Sequence, residues 1–349
     1  MNIKKEIFGQ GPKGEKIFLY SLVNPNGITV KITNYGAIIT AIEMADKQGK
    51  KENIVLGFRT LEEYLSADYL ANYPYFGAVC GRYCNRIAGG KLNVEGVDYQ
   101  LCINNGPNHL HGGQTGFDKM VWSPKTIEMP DFVGLELKYR SVHLEENYPG
   151  NLDVTVFYKL THKNEFQIEY KAVTDRTTVV NLTNHTYFNL TSGKENVFNH
   201  QLQLNGKKRT LTSPDLIPTG ELAEVAGTPF DFTKFKPIGE RIGELPDGYD
   251  NNFVLDNPDH KIVCAGKLKE EKSGRSLTIY TSEPGIQLYT GFYIPTITGK
   301  DGRTFGKYSG VALETQHYAD SPNHPEFPST TLRAGETYKS RTTYQFETK

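Results

Sequence analysis

No run of apolar residues in this 349-residue chain is long enough to cross a bilayer. Met1-Asn2-Ile3-Lys4-Lys5-Glu6 leads into no long apolar core, so no secretory signal is expected. Charge of one sign is not in excess: 39 basic residues face 40 acidic ones, a formal net charge of −1. Nucleic acid and anionic membrane both favour a basic surface, so neither is expected as a partner. Cysteine is scarce. Cys80, Cys84, Cys102 and Cys264 contain no zinc-knuckle or redox CxxC spacing, and free thiols in a reducing cytoplasm are expected. There is no repeat of fixed period, no low-complexity segment and no compositional break marking a linker. Residues 1–349 are therefore expected to form one domain, a size that β-rich folds reach.

Helical patterning is also scarce. One short helix is predicted at Thr60–Leu65, with Thr60 as cap and Glu63 three residues on. Strand signals recur almost everywhere else. Leu152, Val154, Val156, Tyr158 and Leu160 alternate with Asp153, Thr155, Phe157 and Lys159; Phe166, Ile168, Tyr170 and Ala172 repeat the pattern after a polar turn. Such alternation on both arms describes an antiparallel hairpin with one buried face. Further strands are expected at 17–23, 28–33, 92–94, 97–101, 277–282, 286–291, 311–316 and 342–347. With 34 glycines and 18 prolines as punctuation, the pattern reads as all-β, a large antiparallel sandwich or barrel. A half-exposed strand edge and an interface strand read alike, so the pattern sets no oligomeric state. The stretch from Thr212 to Asp250 reads as a long irregular loop, which in a compact domain is usually functional.

Five segments carry more polar chemistry than their strand context requires: 81–90, 104–113, 181–190, 247–253 and 310–318. The densest is Asn181-Leu182-Thr183-Asn184-His185-Thr186-Tyr187-Phe188-Asn189-Leu190. Each buried polar group needs a partner or loses about 1–3 kcal/mol. Ordinary explanations exist for most of them. Arg82 or Arg86 could pair with a surface carboxylate, a contact of little worth. Asp250 could be a turn former. His109 and His111, two apart in an extended segment, would share a face and could form half of a metal site. Glu314 is harder to dismiss, because a carboxylate within an apolar strand needs a partner or a raised pKa. Amide, guanidinium, imidazole and carboxylate groups with nearby aromatics suit a neutral polyhydroxylated ligand, whose hydroxyls both donate and accept.

Seven motifs in order resemble the aldose 1-epimerase (galactose mutarotase) family across nearly the whole chain. They are Asn34-Tyr35-Gly36-Ala37, Gly81 to Gly90, Leu110-His111-Gly112-Gly113 with Gly116-Phe117-Asp118-Lys119, Asn181 to Leu190, Gly248 to Phe253, Gly285 to Gly291, and Leu313-Glu314-Thr315-Gln316. The resemblance implies a β-sandwich of the galactose mutarotase type and interconversion of the α and β anomers of hexoses. It implies Glu314 as general base and His185 as general acid. It further implies that Arg86 and His111 hold the sugar, with Asn85, Asp250 and Gln287 as additional contacts.

The chemistry supports that assignment. Anomerisation opens the ring: a base takes the C1 hydroxyl proton while an acid protonates the ring oxygen, and rotation about C1–C2 precedes reclosure. An ionised glutamate and a protonated histidine perform this at hydrogen-bond range. Nearby carboxylates are expected to keep His185 protonated. A small aldohexose is the expected partner, and no metal, nucleotide or redox cofactor is required. Two other readings use the same residues. One is a metal-dependent sugar isomerase on a cupin-like barrel, with His109, His111 and Glu314 among its ligands. The other is a carbohydrate-binding module or sensor without catalysis.

Overall fold

Leu152, Val154, Val156, Tyr158 and Leu160 are buried while the residues between them face outward, because successive strand side chains point to opposite sides of a sheet. The computed structural model, which describes all 349 residues, builds this hairpin from Leu152–Thr161 and Glu165–Thr174. Its register sets Val156 opposite Tyr170 and Tyr158 opposite Ile168, so the two apolar faces coincide. The Tyr158 and Phe166 rings stack with centroids 5.9 Å apart. The hairpin lies within a nine-stranded sheet that also contains Phe132–Ser141, Tyr338–Thr348, Arg275–Thr281 and Val263–Lys269.

A second sheet of six strands runs in the spatial order Tyr187–Phe188, Val311–Gln316, Gly285–Tyr289, Asp250–Val254, Lys208–Thr212, Pro218–Glu224. A third, of five strands, is a meander from Asn2 to Asn53. Neighbouring strands in all three sheets pair antiparallel, the β-sandwich class the sequence predicts. One cluster of 51 buried residues, from Tyr20 to Phe346, lies against all three, so the sheets share a core. The four cysteines form no disulfide, and no helix is long and apolar enough to cross a membrane.

Differences from the sequence reading are local. The predicted helix is a single turn, Leu61–Tyr64, where Glu63 Oε2 accepts from the Thr60 backbone N–H at 3.0 Å. A second short helix, Ala67–Ala71, starts from Ser66, whose hydroxyl accepts from Tyr69 N–H. The stretch 212–250 is not structureless. It contains the strand Pro218–Glu224, paired with Lys208–Thr212, whose side chains are mostly exposed and so lack an apolar stripe to reveal them. Long strands at Asn2–Gln10 and Ser123–Glu128 were hidden for the same reason.

Replacing Leu160 by Ala leaves a cavity in the core against the buried face of the sheet. It is expected to cost about 2–5 kcal/mol, read as a lower urea midpoint with an unchanged slope.

Candidate active site

Three neighbouring strands form the floor of a cleft. In register, Asn252 lies opposite Gln287 and Gln287 opposite Glu314; Asp250 lies opposite Tyr289 and Tyr289 opposite Ala312. Directly paired residues share a face. One face therefore carries Asp250, Asn252, Gln287, Tyr289, Glu314 and Gln316. The other carries Phe253, Ile286, Leu288 and Leu313, all part of the core.

His185 reaches this floor from the loop that follows Thr183–Asn184. Its backbone is tied on both sides: its N–H donates to Ala78 O at 2.8 Å, and its C=O accepts from Gly77 N–H at 3.0 Å. Gly77 sits at φ 68°, and a Cβ there would lie 2.1 Å from Ile39 O, so the residue facing His185 must be glycine. The neighbouring amides and hydroxyls are braces. Asn184 donates to Gly77 O at 2.9 Å, Thr183 to Thr315 O at 2.9 Å, and Asn189 to Ser309 O at 2.7 Å. Asn181, Asn184 and Asn189, each heading a glycosylation-type triplet, are all buried.

The structure brings His185 Nε2 to 3.6 Å from Glu314 Oε1. His111 joins them, its ring centroid 5.3 Å from that of His185. The backbone N–H of Asn85 donates to His111 Nδ1 at 3.1 Å, which leaves Nε2 as the protonated nitrogen of a neutral ring. Arg86 enters the cleft with Nη1 3.8 Å from Asp250 Oδ2, and its Nε donates to Asn105 Oδ1 at 3.1 Å. Gln287 donates to Asp250 Oδ1 at 2.5 Å. The cavity of about 440 Å³ is lined by Asn85, Arg86, His111, His185, Asp250 and Glu314 but not by Gln287, whose observed partner is Asp250. That volume suits a small ligand.

The expected shared face of His109 and His111 does not form. His111 has φ 49°, which breaks the extended chain. His109 is buried away from the cleft, with Nδ1 on Cys102 O at 2.7 Å and Nε2 on the Tyr148 hydroxyl at 2.6 Å. The groups that could together hold a cation are instead His111, His185 and Glu314, whose ligand atoms all lie within 4.8 Å of one another. Arg82 is no surface residue either. It is buried and donates to the carbonyls of Pro149 and Gly150 and to Ser141 Oγ, tying loops together. Tyr75 had no signal in the sequence. At φ 57° it packs its ring 4.6 Å from His111 and 5.9 Å from His185, forming one wall. Pro214, Asp215 and Leu216, from the stretch read as a functional loop, line the rim.

Burial sets the charges, and it overturns one expectation. Desolvation pushes the His185 imidazolium down to about 4. It also raises the Glu314 carboxyl well above the ordinary range; Asp250 adds to the rise and Arg86 opposes it. The nearby carboxylates therefore do not keep His185 charged. Burial thus favours the neutral form of each partner. Burial likewise drives His111 well below its usual value, helped by His185 and Arg86.

A buried carboxyl–imidazole pair, with Arg86, Asp250 and Asn85 beside it and aromatic walls, has the groups for acid–base chemistry on a polar ligand. A family profile described as Aldose 1-epimerase matches residues 19–345. Galactose mutarotase of Sus scrofa is 41% identical, with 99% of each chain covered. Aldose 1-epimerase of Escherichia coli strain K12 is 35% identical, with 96% of each covered. A solved galactose 1-epimerase from Lactobacillus acidophilus superposes with a TM-score of 0.86 at 28% identity, with 99% of each chain covered. The chain belongs to the aldose 1-epimerase family, and it is an isomerase.

Nitrogen-15 NMR of the histidine rings tests the charge assignment. His185 is expected to stay neutral at pH 6 and to titrate near 4, and His111 to show the Nε2–H tautomer. A charged His185 at pH 6 refutes it.

Proposed function

We propose that the cleft interconverts the α and β anomers of free aldohexoses such as galactose and glucose, with Glu314 as base and His185 as acid. The observation that carries this reading is the buried Glu314–His185 pair at 3.6 Å. Together the two groups hold one proton, which is the number the reaction needs. With sugar hydroxyls and Arg86 around the carboxylate, the proton moves to His185 Nε2. Glu314 then takes the O1 proton as His185 protonates the ring oxygen, and the C1–O5 bond breaks. The open aldehyde is left beside a protonated Glu314 and a neutral His185, the arrangement that burial favours. Rotation about C1–C2 and reversal of both transfers close the ring on the other face. Arg86, Asp250, Asn85 and the Nε2–H of His111 hold the sugar, and Gln287 contributes through Asp250.

Residues 1–349 act as one unit in this reading. The four unpaired cysteines suit a reducing, cytoplasmic setting.

Polarimetry on freshly dissolved α-galactose and α-glucose is the direct test. Glu314→Gln and His185→Asn are each expected to lower kcat by about 10²–10⁴ while remaining folded. Near-normal mutarotation in either variant refutes the assignment. Because His111, His185 and Glu314 lie close enough to hold a cation, chelation discriminates a second reading. Activity is expected to survive exhaustive treatment with a chelator; loss restored by a divalent metal would establish a metal-assisted reaction. Turnover is also expected to fall below about pH 4, where His185 takes a second proton and the pair loses its base.

A further inference from the structure

Two buried amides on the cleft floor have no place in that mechanism. Asn252 and Gln316 share the face of Glu314 but do not line the cavity. Both amide atoms of Asn252, Nε2 of Gln316 and Oε2 of Glu314 are buried without a protein hydrogen-bond partner. A native fold seldom leaves such atoms unpaired, and three of them, Gln316 Nε2, Asn252 Oδ1 and Glu314 Oε2, on one face of adjoining strands point to a shared partner. Gly285 lies between the strands of Asn252 and Gln316, directly opposite Gln316. A Cβ there would meet Asn252 Oδ1 at 2.4 Å and Gln316 O at 3.1 Å, so the missing side chain is what leaves room. Cys84 Sγ donates to Gln316 Oε1 at 3.4 Å, which turns the Gln316 NH₂ away from Cys84. Glu314 and Gln316 are alternate residues of one strand, so their side chains leave the same face with Cα atoms about 7 Å apart.

We infer that Gln316 and Asn252 are positioning residues that act on Glu314 through one buried water. Gln316 Nε2 donates to that water. The water's own hydrogens go to Asn252 Oδ1 and Glu314 Oε2. A donor fixed behind Oε2 favours the carboxylate against burial and leaves Oε1 facing His185. The inference rests on Glu314 being the base. Other ionisable groups that feel or act on the Glu314 charge are His185, Asp250 and Arg86 on the cleft side, and the buried Cys80, Cys84, Tyr187 and Tyr344.

Gln316→Met removes the donor with little change of shape. It is expected to lower kcat about tenfold to a hundredfold and to leave KM within about twofold. It should also move the alkaline limb of the pH profile upward by about one unit, a shift that partial unfolding would not produce. Asn252→Leu gives the same readout if that variant fails to fold. A high-resolution crystal structure of the unaltered protein should show an ordered water touching Glu314, Gln316 and Asn252. No such water, or an unchanged pH profile in the variant, overturns the inference. Near-normal turnover in Glu314→Gln defeats the underlying reading instead, so the two failures are separable.

Discussion

The register between Gly285–Tyr289 and Val311–Gln316 is the constraint on which the site depends. A slip of one residue would turn Glu314 into the core and Leu313 into the cleft. The slip is opposed by the apolar side of the same strands. Phe253, Ile286, Leu288 and Leu313 join the shared core, and each loses about 1.5–3 kcal/mol if turned to water. The chemistry on one face is thus held in place by packing on the other.

Desolvation then does the electrostatic work. Taken separately, a buried carboxylate and a buried imidazolium are both costly, and burial drives each toward its neutral form. Placed 3.6 Å apart, they can share one proton with no net charge. In the proposed ring opening a base and an acid exchange roles midway, and such a pair can pass between its two proton arrangements without a net change in charge. Tyr75 against both imidazoles, and Gly77 against the backbone of His185, maintain that environment.

The strands that alternate cleanly were legible before the structure, as were the five polar segments and the residue types needed for sugar chemistry. Strands with little apolar patterning, such as Asn2–Gln10 and Pro218–Glu224, were not, because both of their faces are largely exposed or half-buried. The His109–His111 pairing failed for a backbone reason. Period-two reasoning assumes an extended chain, and φ 49° at His111 turns the second ring toward the cleft while the first stays buried. Tyr75 carried no signal at all, since an aromatic within Tyr73-Pro74-Tyr75-Phe76 reads as ordinary loop or core.

The sequence by itself determined the antiparallel class, the family and the inventory of acid, base and hydrogen-bonding groups, because alternation and motif order are properties of the chain. Tertiary structure decided which of those groups meet. It set His185 against Glu314, sent Arg82 and His109 into structural roles, and left Gln287 holding Asp250. It also decided which way burial pushes each group's charge. A residue's charge depends on how much water its neighbours exclude, and those neighbours come from segments far apart in the chain.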